Sequence, residues 1–111
     1  MRLENEHVRV ELDPNTGGFR SVYDKHRRHE YIAAPDRALL FRVMAPEPGM
    51  ACGHVDAEAC DVSVSGNTAT IVCKQDGMDA VVTLELEGSA VLAHMRLTSR
   101  GPRTIEEIMF P

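Results

Sequence analysis

The stretch AEACDVSVSGNTATIVCKQDGMDAVVTLELEGSAVLAHMRLTS, residues 57–99, decides the fold. Four runs in it alternate apolar and polar residues: Ala57 to Ser65, Thr68 to Gln75, Met78 to Glu87 and Ala90 to Ser99. Period-two alternation marks a strand with one face in a core. Gly66-Asn67, Asp76-Gly77 and Gly88-Ser89 separate the runs, and each suits a two-residue hairpin turn. The first turn sets Val64 against Ala69, Val62 against Ile71 and Cys60 against Cys73. The second sets Ile71 against Val82 and Ala69 against Leu84, and the third sets Leu86, Leu84 and Val82 against Val91, Ala93 and Met95. All three registers gather the apolar residues on one face, and a one-residue slip at any turn breaks that agreement. Asp61, Ser63, Thr70, Lys74, Asp79, Thr83 and Glu85 then face away from the core.

The register carries a consequence for the cysteines. Ser65 and Thr68 flank the turn as a hydrogen-bonded pair, and pair types alternate outward. Cys60 and Cys73 form a non-hydrogen-bonded pair, with Cα atoms expected about 4.5 Å apart. That is the short end of the disulfide range, about 4.4–6.8 Å. The two sulfurs should touch on the core face, with Cys73 beside the small Ala80. Cys52 makes the count odd, and the polar start Met1 to Glu6 is no secretory leader. Both features favour a reducing, cytoplasmic setting, so the thiols are expected reduced.

Towards the N-terminus, Val8, Val10 and Leu12 alternate as a strand, and Asp13-Pro14-Asn15-Thr16-Gly17-Gly18 reads as a turn. Phe19 to Asp24 returns, Lys25 to His29 turns again, and Glu30-Tyr31-Ile32 is a short strand. Ala33 to Leu40 has room for one helical turn. Leu39 to Val43 alternates, Met44 to His54 is the longest loop, and Thr104 to Phe110 is a last strand after the break at Gly101-Pro102. About nine short strands with regular turns point to an all-β, antiparallel β-sandwich. At 111 residues the chain holds one domain, residues 1–111.

Composition narrows the function. With 17 acidic and 12 basic residues the chain lacks the basic face that phosphate binding needs, which argues against nucleic acid. No apolar run approaches the ~20 residues of a membrane helix. Aromatic residues are 5% and Trp is absent, so a sugar-stacking platform has little material. No nucleotide fingerprint, P-loop, nucleophile elbow or paired CxxC stands in the sequence, and no cofactor is implied.

The opening LENEHVRVELDPNTGGFRSVYDK, residues 3–25, followed by Glu30-Tyr31-Ile32, resembles the start of the galactose-mutarotase-like β-sandwich. That sandwich accompanies many glycoside hydrolases and is similar to parts of aldose epimerases and polysaccharide lyases. The resemblance implies a compact or partial sandwich within a larger protein, packed on a (β/α)-barrel that carries the catalytic carboxylates. Carbohydrate is then the implied ligand and the barrel the implied partner. The tail Ile105 to Pro111 looks like the strand that leaves such a sandwich; it should be unpaired, or one face unusually apolar. Two alternatives stand beside this: a fragment or minimal form of a mutarotase-like epimerase, and a free-standing interaction domain.

No catalytic, cofactor-binding or metal-binding residue is assigned. His26 and His29 lie in a turn with Lys25, Arg27 and Arg28, surroundings that repel a cation. His7 invites the same metal or acid–base reading as the other histidines and is given no role, His54 lies in the long loop, and His94 faces outward opposite Thr83 with Arg96 and Glu85. Glycoside hydrolysis needs two carboxyls facing one bond. Glu106 and Glu107 are adjacent and point to opposite faces, while Glu85 and Glu87 share a solvated face. Epimerases need a His and a Glu on inward strands, and no motif here carries those roles.

Overall fold

The computed structural model describes residues 1–44, 54–75, 77–100 and 107–110. The chain is all-β with antiparallel pairing, and no α-helix occurs among the described residues. A first sheet joins β1 (Arg2–Glu4), β2 (Val8–Leu12), β3 (Phe19–Asp24) and β4 (His29–Glu30) in sequence order. A second sheet has the order β10-β9-β8-β7, built from β7 (Cys60–Ser65), β8 (Thr68–Gln75), β9 (Met78–Glu87) and β10 (Ala90–Ser99). A small third sheet holds β5 (Arg42–Met44) between β6 (His54–Asp56) and β11 (Glu107–Met109).

The second sheet forms in the register that its turns dictate. Cys60 pairs with Cys73, Ile71 with Val82, Cys73 with Ala80, and Val82 with Met95. Gly66 and Gly88 open their turns at φ +60° and +58°, the left-handed region that a tight hairpin requires. Asp76 lies outside the described residues.

The first two sheets face one another in a sandwich-like arrangement. Leu3, Val10, Ile71, Val82 and Leu84 are completely buried between them. Val43 of the third sheet and Leu40, just before it, join the same core and are also fully buried. Backbone contacts lock the layers. Asn15, in the turn between β2 and β3, accepts a hydrogen bond at 2.7 Å from the Cys60 N–H of β7, while Phe41 accepts one at 3.3 Å from Ala57 and so extends the β5–β6 ladder. At the opposite end the Asn5 amide donates to the Gly88 carbonyl at 2.8 Å.

Several sequence expectations need correction. Cys60 and Cys73 are joined in a disulfide, not held as thiols. The reason is local: the non-hydrogen-bonded register brings their Cα atoms to 4.3 Å, so the sulfurs meet whatever the third cysteine does. Cys52 lies outside the described residues. The expected strand Ala57 to Ser65 is shorter and starts at Cys60, because Glu58 and Ala59 carry the chain across to the second sheet from His54–Asp56, an unexpected strand that pairs with β5. Arg2–Glu4 is an additional strand, whose Leu3 pairs with Val10 despite polar neighbours. The short strand after the second turn ends at Glu30. There the Glu30 carboxylate takes over the pairing, accepting from the backbone N–H of Val22 at 2.8 Å and of Ile32 at 3.2 Å. The expected strand at Leu39 begins at Arg42, since Pro35–Arg37 is a single 3₁₀ turn whose following carbonyl, of Ala38, accepts from Phe19. The last strand is paired to β5 rather than free. Residues 45–53 of the long loop, and 101–106 with Glu106, lie outside the described residues.

Candidate functional site

The pairing of β2 with β3 brings two turns together and with them two histidines. Val8 lies opposite Asp24, so the residues before β2 meet those after β3. His7 Nδ1 stands 2.7 Å from His26 Nε2, and Glu6 approaches His7 Nε2 at 3.2 Å. Sequence reading gave His7 no role; the hairpin register, extended one residue past Val8, was the signal that joins it to the second turn. The ring centroids are 4.9 Å apart. With a ring nitrogen about 1.1 Å from its centroid, that separation places the nitrogens nearly end to end, the geometry of one shared proton in an N–H···N bond. A metal held by both rings needs their lone pairs to converge at one point instead. Lys25 braces the same place, donating to the Asn5 carbonyl at 2.7 Å and pairing with Glu4 at 2.7 Å. The Lys25 ammonium, through that hydrogen bond, holds the Glu4 carboxyl below its ordinary range.

The other singled-out residues stay apart. His29 packs edge-on against Tyr31 with centroids 4.7 Å apart. His94 is exposed on the outer face opposite Thr83, as the register requires, beside Val81 and Arg96. Glu85 and Glu87 are exposed on that same outer face, Glu107 is exposed on β11, and the side chain of His54 lies outside the described residues. Among the described residues no three His, Cys, Asp or Glu side chains are grouped to hold a metal.

The perturbed carboxyls are turn braces. Asp13 is held well below the ordinary carboxylate range by its hydrogen bond from Arg20, then by the backbone N–H groups of Asn15 and Thr16 at 2.8 and 2.9 Å. Burial pushes Glu30 up, but hydrogen bonds from the Ser21 hydroxyl and the backbone of Ile32, Val22 and Tyr31 outweigh it and leave the carboxyl low. Arg42 forms a two-pronged pair with Asp56 at 2.6 and 2.8 Å, which raises its already high pKa.

A concave surface among the described residues is apolar. Between β3 and β10 the sandwich is open along one side, where Phe19, Val22, Ile32, Val91 and Ala93 line a groove of about 270 Å³. Past Phe19 and Ile32 it continues into a cleft of about 490 Å³ walled by Leu39, Leu40, Phe41 and Phe110, with Arg37 and Arg42 at the rim. The groove exists because β10 is an edge strand that the first sheet does not cover. Val91, Met95 and Leu97 point inward yet remain half-exposed, and Ala93 is exposed. Apolar clefts of a few hundred cubic ångströms mark places where proteins bind small molecules or one another.

The chain matches no protein-family model and no curated protein sequence.

Proposed function

We propose that the chain is an accessory β-sandwich module of a carbohydrate-active enzyme, whose open side packs against a catalytic domain. The observation that carries the reading is the apolar groove between β3 and β10, which leaves core-facing side chains of an ordered strand uncovered. The similarity of residues 3–32 to the galactose-mutarotase-like sandwich supplies the kind of partner: a (β/α)-barrel with its own carboxylate pair. The placement of the histidines and carboxylates supports a positioning role. The titratable groups with low carboxyl pKa values brace turns, and Glu85 and Glu107 are exposed on different sheets.

Two measurements test the reading. The coding sequence that follows the codon for Pro111 is expected to continue in frame into alternating strands and helices. The isolated chain is expected to show no turnover of aryl-glycosides and no mutarotation by polarimetry. Turnover that disappears on replacing one of its own carboxylates or histidines would refute the proposal.

A further inference from the structure

The edge of β10 that no other described strand pairs has a chemistry that specifies what can add to it. Glu87 and Ala90 flank a two-residue turn and form a hydrogen-bonded pair, so pair types alternate from there. Ala90, Leu92, His94, Arg96 and Thr98 therefore direct their backbone N–H and C=O groups to β9. Val91, Ala93, Met95 and Leu97 direct theirs the other way, and β10 stands at the end of its sheet. The same four residues carry side chains on the core face: Val91 and Ala93 lie beside Phe19, Val22 and Ile32, and Met95 and Leu97 pack against the core further along. No Pro, bulge or irregularity interrupts the ten-residue ladder with β9 that holds this edge straight.

Charge distinguishes the outer face. His94 and Arg96 lie there opposite Thr83 and Val81, and neither forms an ion pair among the described residues. β10 itself contains no acidic residue. A second copy of β10 laid edge to edge brings another Arg96 and no carboxylate of its own strand. An incoming strand with acidic residues at those positions pairs with the Arg96 guanidinium and accepts from the His94 ring N–H, whereas a like edge supplies no such acceptor.

We propose that β10 is a strand-addition site for an extended segment that alternates apolar and acidic residues. Its apolar side chains enter the groove opposite Val91, Ala93, Met95 and Leu97, and its carboxylates face His94 and Arg96. This deepens the docking role above by naming the edge that docks and the composition of what it receives.

The test is a titration of the ¹⁵N-labelled full chain with the capped peptide Val-Glu-Val-Glu-Val-Thr-Val, against a control with both Glu replaced by Lys. The expected result is saturable shifts and slowed hydrogen exchange at the amides of Val91, Ala93, Met95 and Leu97, with the acidic peptide at least ~10-fold tighter, about 1.4 kcal/mol. Arg96→Glu, at an exposed position, should reverse that preference while leaving the spectrum of the remaining sheet unchanged. The proposal is overturned by absence of binding at millimolar peptide, by equal binding of both peptides, by shifts confined to other strands, or by self-association through β10. Its failure leaves the catalytic-domain reading to be judged on the coding sequence, and a coding sequence without a barrel leaves the peptide result intact.

Discussion

Replacing Gly17 by alanine should be among the most damaging small changes in the molecule. Gly17 is buried in the Asp13–Gly18 turn at φ +71°. A Cβ there would stand 2.8 Å from Ile71 Cγ2 and 3.2 Å from Leu40 Cδ2. Two costs add. The left-handed backbone costs a residue with a Cβ about 1–2 kcal/mol. Overpacking costs a further ~1–3 kcal/mol, since Ile71 and Leu40 are fully buried and have little room to retreat. Gly66 separates the two terms, because its φ is +60° but nothing lies within 4 Å of its Cβ position. Gly66→Ala should therefore cost about 1–2 kcal/mol, and Gly17→Ala about 2–5 kcal/mol. For a domain of this size the difference between the variants corresponds to roughly 4–12 °C in Tm. Urea unfolding of both variants beside the parent protein measures it. Equal losses within about 0.5 kcal/mol would show that the turn does not press on the second sheet and refute the packing argument.

Other outcomes follow from single contacts. Asn5 accepts from the N–H groups of His7 and Val8 at 2.8 and 2.9 Å and donates to Gly88, so Asn5→Ala should cost roughly 2–3 kcal/mol. Asn5→Asp keeps the acceptors and should cost about 1 kcal/mol by the same denaturation assay; no loss in Asn5→Asp would remove Gly88 from the account, and a loss equal to that of Asn5→Ala would remove the His7 and Val8 acceptors. Asp13 titrates lower in the folded chain than its unfolded value of about 3.9, so its contribution is complete above that value and fades as pH falls below about 4. Asp13→Asn should flatten the loss of stability between pH 5 and pH 2, roughly the window of that carboxyl, as read from midpoints at each pH; an unchanged slope would count against it. The Cys60–Cys73 bridge spans 13 residues, so the double change to alanine should lower stability by about 3 kcal/mol on the chain-entropy account. Alkylation of both thiols in the unreduced native protein would contradict the bridge.

The second sheet was legible because turn chemistry and alternation agree there at every step, from Cys60 to Met95. The shorter strands were less legible, for physical reasons. Leu3 has only polar neighbours and becomes a strand because β2 pairs with it, which no local pattern announces. Asp56, Ala57 and Glu58 continue an alternation although the chain is changing sheets, so periodicity runs through the corner without marking it. The expected cysteine geometry held because it follows from register, whereas the expected thiol state rested on cysteine count and the polar start, neither of which acts on two sulfurs already in contact. The His7–His26 contact and the groove depend on how separate turns and sheets meet, and both emerge only from the assembled layers.

The Asn5–Gly88 hydrogen bond also bears on the order in which the chain folds. It links residues 83 apart in sequence, while the Cys60–Cys73 closure within one hairpin spans 13. Loop-closure entropy makes the longer link about 1.6 kcal/mol harder to reach. The hairpins from β7 to β10 need only short closures and can nucleate one another, so the meander should condense first and receive the N-terminal sheet later. Asn5 then belongs to the descent after the barrier, where a lost contact hastens unfolding and leaves the folding rate alone. A folding limb slowed by Asn5→Ala, measured in stopped flow, would place the N-terminal sheet in the nucleus instead.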